Sequence, residues 1–208
     1  MRFFVPLVFV FGCADDGALD QVSVGTECSP TDFACVTSGL NGPIAVGGVL
    51  SLSLDLDTQG TSSAAISLVS ADPSVLDAKG TEVIGAAAGV AALVMLAEGR
   101  AVDFLHVYVV EPNRIGLHRR DGGLELGEIL EEVEMLVGDE MIVDVEPYFD
   151  SQRLLGNRTT AWSSGPEVSL LRDGSPGRRR VVARTAGTTD LVVDTFGFQK
   201  TLHITVLP

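Results

Sequence analysis

The side chains that most often carry out acid–base or nucleophilic catalysis are few in this chain and widely spaced. The three histidines are His106, His118 and His203, and they lie far apart in the sequence. Catalysis needs a nucleophile or a proton-transfer group held beside a partner. The chain contains no Gly-x-Ser-x-Gly, His-Glu-x-x-His or phosphate-binding glycine loop. We therefore expect a protein that is not an enzyme.

Metal-binding patterns are equally weak. Asp55 and Asp57 have the spacing that opens a calcium loop, but Ile66 stands at the twelfth position, where such a loop needs a bidentate Glu. The acidic stretch of residues 125–140 could collect Ca²⁺ weakly, although a solvated sheet edge that keeps the protein soluble is the simpler interpretation. We expect no metal site and no cofactor.

One basic cluster is a candidate binding site. Arg178, Arg179 and Arg180 follow the turn sequence Gly-Ser-Pro-Gly, and guanidinium groups bind phosphate and carboxylate in a bidentate manner. The whole chain nevertheless has 28 acidic and 14 basic side chains, which gives a net charge of −14. A nucleic-acid partner is therefore not expected, because phosphate binding requires a basic surface. An anionic surface polymer remains a candidate ligand.

The cysteines indicate the compartment. Arg2 precedes the apolar residues 3–11, and Gly12 and Cys13 follow, which is the form of a secretory signal peptide. Outside the cytoplasm, Cys28 and Cys35 are most simply a disulfide, although free thiols or pairing with another chain stay open. Closing so small a ring stabilises a fold by about 2–3 kcal/mol.

The end of this segment, Val-Phe-Gly-Cys13, resembles the bacterial lipoprotein signal. That resemblance implies a signal peptide over residues 1–12, a lipidated Cys13 and a flexible tether over residues 13–36. Ala14 after the cysteine implies the outer membrane rather than the inner one. Burial of the acyl chains in the bilayer, which contributes about 0.8 kcal/mol per methylene group, would then hold the protein at a membrane. An ordinary cleaved signal is the alternative.

The body of the chain has the pattern of short β-strands. Residues 49–57 alternate strictly between apolar and polar types, residues 141–146 and 202–207 do so more briefly, and clusters of Gly, Pro, Asn and Asp separate these runs. Residues 86–97 have strong helix propensity. We nevertheless predict a strand over their second half, because the matching residues 189–196 are rich in strand formers. The pattern predicts a β-sandwich or barrel.

The two halves of the chain also match one another. The segment from Val69 to Val75 aligns with that from Trp162 to Val168, residues 83–94 align with 181–192, and Gly99 aligns with Gly197. The repeat is about 95 residues long, whereas solenoid repeats are about 20–50 residues long, so it indicates two copies of one domain. The first copy spans residues 37–112 and the second spans residues 113–208.

The second copy resembles the bacterial Ig-like domain, group 2. The residues that carry this resemblance are Val137-Gly138, Trp162-Ser-Ser, Ala186-Gly187-Thr188 and Ile204-Thr-Val206. The first copy departs from the pattern, with Val69 where the family has Trp. The resemblance implies an all-β chain of two tandem Ig-like sandwiches, with Trp162 and Val69 at equivalent core positions. It also implies a non-enzymatic cell-envelope protein that serves spacing, adhesion or binding to another protein. A carbohydrate or polyanion binder and an accessory subunit of an envelope complex are the alternatives.

The lipid anchor gives the first testable prediction. We expect Cys13→Ser to move the protein from the membrane fraction to the soluble fraction, because the acylated atom is lost. Fractionation of cells that express the two forms measures this. Equal membrane retention of both forms would contradict lipidation at Cys13.

Overall fold

The computed structural model describes residues 23–28, 40, 42–57, 66–121, 124–129 and 131–208, with residues 23–28 and 54–57 described as backbone. All regular elements of this part are β-strands, and none of its segments is a helix long and apolar enough to cross a bilayer. The strands are β1 (Ser23–Cys28), β2 (Ile44–Ala45), β3 (Val49–Asp57), β4 (Ile66–Ser70), β5 (Leu76–Lys79), β6 (Glu82–Gly85), β7 (Gly89–Ala97), β8 (Arg100–Val110), β9 (Arg114–Asp121), β10 (Leu124–Ile129), β11 (Glu132–Leu136), β12 (Glu140–Phe149), β13 (Gln152–Arg153), β14 (Ala161–Ser163), β15 (Val168–Arg172), β16 (Arg178–Ala183), β17 (Gly187–Thr195) and β18 (Phe198–Leu207).

The first sandwich consists of two four-stranded sheets. One has the order β1-β3-β6-β5 and the other the order β2-β8-β7-β4. Apolar side chains of β2 to β8, residues 54–57 apart, alternate inward and meet in one core. Its fully buried members include Ile44, Leu50, Leu76, Leu93 and Met95.

The second sandwich repeats this plan. Its first sheet has the order β10-β9-β12-β16-β15, with β13 paired to β12, and its second sheet has the order β11-β18-β17-β14. A separate core lies between them, built around residues such as Leu117, Val143, Leu191, Leu202 and Ile204. The additional strands β10 and β13 have no counterpart among the described strands of the first sandwich.

The strand order identifies both units as Ig-like. In that fold strands A, B, E and D form one sheet, and strands C, F and G form the other. The orders β1-β3-β6-β5 and β8-β7-β4 reproduce this arrangement, and β9-β12-β16-β15 and β18-β17-β14 reproduce it again. The predicted fold class, two tandem Ig-like sandwiches in an all-β chain, is confirmed.

The first sandwich begins earlier than the sequence indicated. β1 pairs antiparallel with β3 from Ser23↔Asp57 to Cys28↔Leu52. These residues, predicted as part of a flexible tether over 13–36, are thus an edge strand of the first sandwich. Cys13 and Cys35 lie outside the described residues, so lipidation at Cys13 and the pairing of Cys28 with Cys35 stay predictions.

The alignment of Val69 with Trp162 is wrong by one residue. In the first sandwich Leu68 pairs with Met95 of β7, and in the second Trp162 pairs with Val193 of β17. Met95 and Val193 are equivalent, because β7 and β17 begin their pairing with the next strand at Gly89 and Gly187. Leu68 is therefore the counterpart of Trp162.

Burial agrees with this correction. Leu68 is 5% exposed and belongs to the core, whereas Val69 is 46% exposed on the outer face. A shift of one residue moves a strand side chain to the opposite face. The sequence alignment is displaced because the connection from β4 to β5 in the first copy is two residues longer than the connection from β14 to β15 in the second.

The corrected alignment predicts unequal costs for neighbouring substitutions. We expect Leu68→Ala to lower the free energy of unfolding by about 2–5 kcal/mol, because it leaves a cavity in the core. The matched variant Val69→Ala should cost about 0.5 kcal/mol, since its side chain is on the surface. Denaturant unfolding measures both values. A larger loss of unfolding free energy for Val69→Ala than for Leu68→Ala would favour the alignment of Val69 with Trp162.

Candidate functional site

The most unusual feature of the structure is a loop of the second sandwich that completes the first one. This junction loop, residues 152–158, begins with β13 and continues through Leu155 to Arg158. Leu155 is 1% exposed and is a member of the first sandwich's core, where it packs with residues such as Ile44. The first core is thus incomplete without a side chain from the second half of the chain.

Backbone hydrogen bonds hold the junction loop in place. The amide of Leu155 donates to the carbonyl of Pro43 at 2.8 Å, and the amide of Ala45 donates to the carbonyl of Leu155 at 2.9 Å. Further along, Val49 and Asn157 exchange two bonds of 2.8 and 2.9 Å. These four bonds extend the first sandwich's hydrogen bonding into the second, so the two units meet by strand pairing as well as by side-chain contact.

The loop can approach so closely because two glycines face each other. Gly156 has φ +103°, and a Cβ there would lie 2.9 Å from the Cα of Gly48. A side chain at Gly156 would therefore both strain the backbone and collide with the facing chain. The close contact between the two units requires glycine at this point.

A small apolar cluster seals the rest of the junction. Ala45 of the first sandwich packs with Ile115, Leu154 and Phe196 of the second, and all four are buried. The connecting segment is fixed as well: the amide of Asn113 donates to the carbonyl of Tyr148 at 2.8 Å, and its side chain exchanges two bonds with Asp150. The linker, the loop and the apolar cluster together oppose bending between the sandwiches.

A charge cluster anchors the base of the junction loop. We define it as the eight side chains His118, Arg120, Glu125, Asp144, Glu146, Tyr148, Arg153 and Arg178, which project from β9, β10, β12, β13 and β16. Arg120 lies at its centre, 3% exposed, and binds Asp144, Glu125 and Glu146. Its Nε–Asp144 Oδ2 and Nη1–Glu125 Oε2 distances are both 3.0 Å.

Arg153 connects this cluster to the junction. Its Nη2 lies 2.6 Å from Glu125 Oε2, and its Nε lies 2.6 Å from Glu146 Oε2. Arg153 directly precedes Leu154 and Leu155, the two apolar residues that enter the junction. Two carboxylates from separate strands thereby set the position at which the loop leaves the second sandwich.

The side chains of His118 and Tyr148 complete the cluster. Tyr148 Oη and His118 Nε2 are 2.8 Å apart, and the two rings stack at 5.8 Å. Their packing depends on Gly116, where a Cβ would lie 2.9 Å from His118 Nε2. His118 Nδ1 lies 2.8 Å from Glu125 Oε1, but the direction of approach does not make a hydrogen bond.

Burial and mutual charge shift the pKa values in this cluster. Burial lowers the pKa of His118, which favours the neutral imidazole. Burial raises the pKa of Glu146 to about 7, although Arg153 and Arg120 oppose that effect. Burial also acts to raise the pKa of Glu125, but the hydrogen bond and charge of Arg153, together with Arg120, lower it to about 2. With His118 neutral, three guanidinium groups face three acidic side chains.

The cluster has one arrangement that could bind a cation. Single ligand atoms of His118, Glu125 and Glu146 lie within 4.8 Å of one another. Arg120 and Arg153 already bridge the two carboxylates, however, so a divalent ion would have to displace a guanidinium group. The geometry therefore favours a structural ion-pair network over a metal or acid–base site.

The predicted arginine site is largely neutralised by neighbouring acids. Arg178 binds both oxygens of Asp144 at 2.7 Å, and Arg180 lies 3.0 Å from Glu140. Arg179 instead lies over the ring of Trp162 at 5.5 Å. The structure thus separates the three arginines into different contacts rather than directing them to one ligand.

Trp162 is not an exposed stacking platform. Its ring is half-buried and packs against the second core, and the guanidinium group of Arg179 lies over it. Its Nε1 is buried and has no hydrogen-bond partner among the described residues. This placement is that of a packing residue.

Sequence reasoning missed both the charge cluster and the junction loop. Asp144 and Glu146 alternate with apolar residues along β12, which predicted an exposed polar face. Only the register of β9, β12 and β16 shows that these acids face arginines on both neighbouring strands. The junction loop, residues 152–158, contains no motif that the sequence alone could single out.

Comparison with known proteins gives likenesses of fold. No protein-family model matches the chain, and no curated protein does so either. Among solved structures, domains 4 and 5 of the S-layer protein SbsC are 16% identical, with a TM-score of 0.32, over 76% of this chain and 83% of that one. The Yersinia pseudotuberculosis adhesin InvE is 11% identical, with a TM-score of 0.36, over 89% of this chain and 59% of that one. Invasin, a bacterial integrin-binding protein, is 12% identical, with a TM-score of 0.32, over 92% of this chain and 41% of that one. At these values the likeness says nothing about function.

The low pKa of Glu125 predicts how stability depends on acid. Because the pKa falls from 4.5 unfolded to about 2 folded, the unfolded chain binds more protons between these values. The stabilisation is complete above pH 4.5 and is lost as the pH falls towards 2. We expect Glu125→Gln to be less stable than the wild type at pH 6 and to lose less stability between pH 4.5 and 2.5.

Thermal unfolding across this pH range measures the difference, with Glu132→Gln as a control that removes an exposed carboxylate outside the cluster. Parallel pH profiles for the wild type and Glu125→Gln would contradict the assigned role of Glu125.

Proposed function

We propose that this protein is a non-enzymatic lipoprotein of the bacterial cell envelope. Its two Ig-like sandwiches, which we assign to group 2, would act as one stiff unit in spacing, adhesion or protein binding at the cell surface. Lipid on Cys13 would attach the unit to a membrane, preferably the outer one. The proposal rests on one observation above all: Leu155 of the second sandwich completes the core of the first.

Stiffness follows from how the two units meet. Domains joined only by a linker move relative to each other unless their interface is large and apolar. Here the four backbone hydrogen bonds and the buried Leu155 must be broken before the units can bend. A fixed geometry suits a spacer or an adhesive module, because it presents a surface at a constant distance and orientation.

The edge of the second sandwich that corresponds to residues 43–49 forms its hydrogen bonds within its own domain. Leu136 corresponds to Ala45, but its amide donates to the Asp139 carboxylate at 2.9 Å rather than to another domain. Asp139 stands where the first sandwich has Gly48, the residue that allows close approach. The docking edge is thus specific to the first sandwich, which supports a dedicated junction rather than a general property of the repeat.

The charge cluster supports the same role. Two of its ion pairs, from Glu125 and Glu146, hold Arg153 at the base of the junction loop. Breaking a buried ion pair by removing one partner costs about 3–5 kcal/mol. The cluster is therefore suited to fixing the loop rather than to chemistry.

Gly156→Ala tests the stiffness directly. The added methyl group collides with Gly48, so we expect the junction to open and the two sandwiches to reorient independently. Gly138→Ala is the matched control, because Gly138 has a similar φ of +96° but no atom near its Cβ position. Both variants carry about 1 kcal/mol of backbone strain, and only the first disturbs the junction.

Backbone ¹⁵N relaxation measures the rotational correlation time of each sandwich. The wild type and Gly138→Ala should give one common value for both units, and Gly156→Ala should give two shorter ones. Separate tumbling of the two sandwiches in the wild type would rule out the stiff unit.

A further inference from the structure

One outer sheet face of the first sandwich is almost entirely apolar. It is formed by the outward-pointing residues of β4, β7 and β8, which we call the GFC face. Its nine side chains include seven apolar ones and no carboxylate, ammonium or guanidinium group. They are Ser67, Val69, Val90, Ala92, Val94, Leu96, Phe104, His106 and Tyr108.

These residues form a continuous surface across three strands. Val69, Val94 and Phe104 lie side by side in one row, and Val90 and Tyr108 are neighbours in another. Val90 is 51% exposed and Tyr108 is 59% exposed. Isolated exposed apolar residues are ordinary, but a contiguous apolar face marks a contact surface.

The second sandwich provides an internal comparison for each position. Its equivalent face, aligned by the register of β14, β17 and β18, is mostly polar, with Ala161 and Val192 as its apolar members. Ser163 corresponds to Val69, Thr188 to Val90, Asp190 to Ala92, Asp194 to Leu96, Thr201 to Phe104 and Thr205 to Tyr108. The fold therefore does not require an apolar outer face, and the first sandwich has a separate reason for one.

β7 leads to the same conclusion. Its inner residues Ala91, Leu93 and Met95 are in the core, while its outer residues Val90, Ala92, Val94 and Leu96 are apolar too. Strands that are apolar on both sides are characteristic of sheets covered on both faces. One face of β7 is covered by the sandwich, whereas on the other face Val90 is 51% exposed.

We propose that the GFC face is the contact surface between two copies of this chain, packed sheet against sheet. A contact between two copies uses the same patch on both, so it needs a face that can meet its own copy without repulsion, as a flat uncharged sheet face can. The chain carries a net charge of −14, so two copies repel each other over most of their surface. On the GFC face two copies meet without any like-charged pair, and aligned apolar sheets pack at about 10 Å.

The size of the face sets the expected affinity. Three strands about 4.8 Å apart and seven residues long cover about 300 Å² per copy. Stable protein interfaces bury about 800 Å² per partner, so this contact belongs to the weak, reversible class. We expect a dissociation constant above about 1 µM.

The internal comparison supplies the test variant. Val90→Thr, Phe104→Thr and Tyr108→Thr, combined in one chain, place the second sandwich's residues at equivalent positions of the first. The fold already accepts these residues at those positions, so the variant should remain folded, which circular dichroism checks. The matched control combines Thr188→Ser, Thr201→Ser and Thr205→Ser on the polar face.

Sedimentation velocity from about 10 µM to 1 mM covers the weak class of interfaces and measures self-association. The wild type and the control should shift from monomer to dimer, and the triple variant should dimerise at least tenfold more weakly. A monomeric wild type at all concentrations, or equal dimerisation of the triple variant, would overturn the proposal. Flotation with neutral and anionic phospholipid vesicles is the second arm: binding that the triple variant loses, in a wild type that stays monomeric, would assign the face to a membrane instead.

Discussion

The pairing of the junction loop with residues 43–49 is the interaction on which the rest of the structure depends. It supplies four backbone hydrogen bonds and one core side chain to the first sandwich. Without it, Ile44 and its neighbours would lose a packing partner, and the amides of Ala45 and Val49 would lose their acceptors. Buried amides without acceptors are costly, so the junction loop adds to the stability of the first sandwich.

The charge cluster makes this pairing precise. A loop that leaves a sheet edge normally has considerable freedom. Here Arg153 is held by Glu125 and Glu146, and Arg120 holds those two acids in turn. Leu154 and Leu155 directly follow Arg153 in the chain. The buried charges of the second sandwich therefore fix the position at which these two side chains enter the junction.

Much of the fold followed from the sequence, because alternation and turn residues report local structure directly. The strand over residues 49–57, the duplication and the Ig-like class were all predicted from such patterns. The core position in β4 was not, because two extra residues before β5 displaced the alignment and moved Val69 onto the position of Leu68. The charge cluster and the junction loop could not be predicted, since both depend on register and on contacts between residues distant in the chain.

The two copies have diverged where they meet other surfaces. Gly48 opens the first sandwich to the junction loop, whereas Asp139 closes the equivalent edge of the second. The GFC face is apolar in the first and mostly polar in the second. The two copies therefore share a fold but make different contacts, and each copy serves as a comparison for the other.

Native-state hydrogen exchange at the junction tests the central claim most directly. The amides of Ala45, Val49, Leu155 and Asn157 form the bonds between the two sandwiches. If the second sandwich completes the first, these four amides exchange only when the core strands open, with protection equal to that of β7. Exchange at the rate of an open surface loop, while β7 stays protected, would contradict the account.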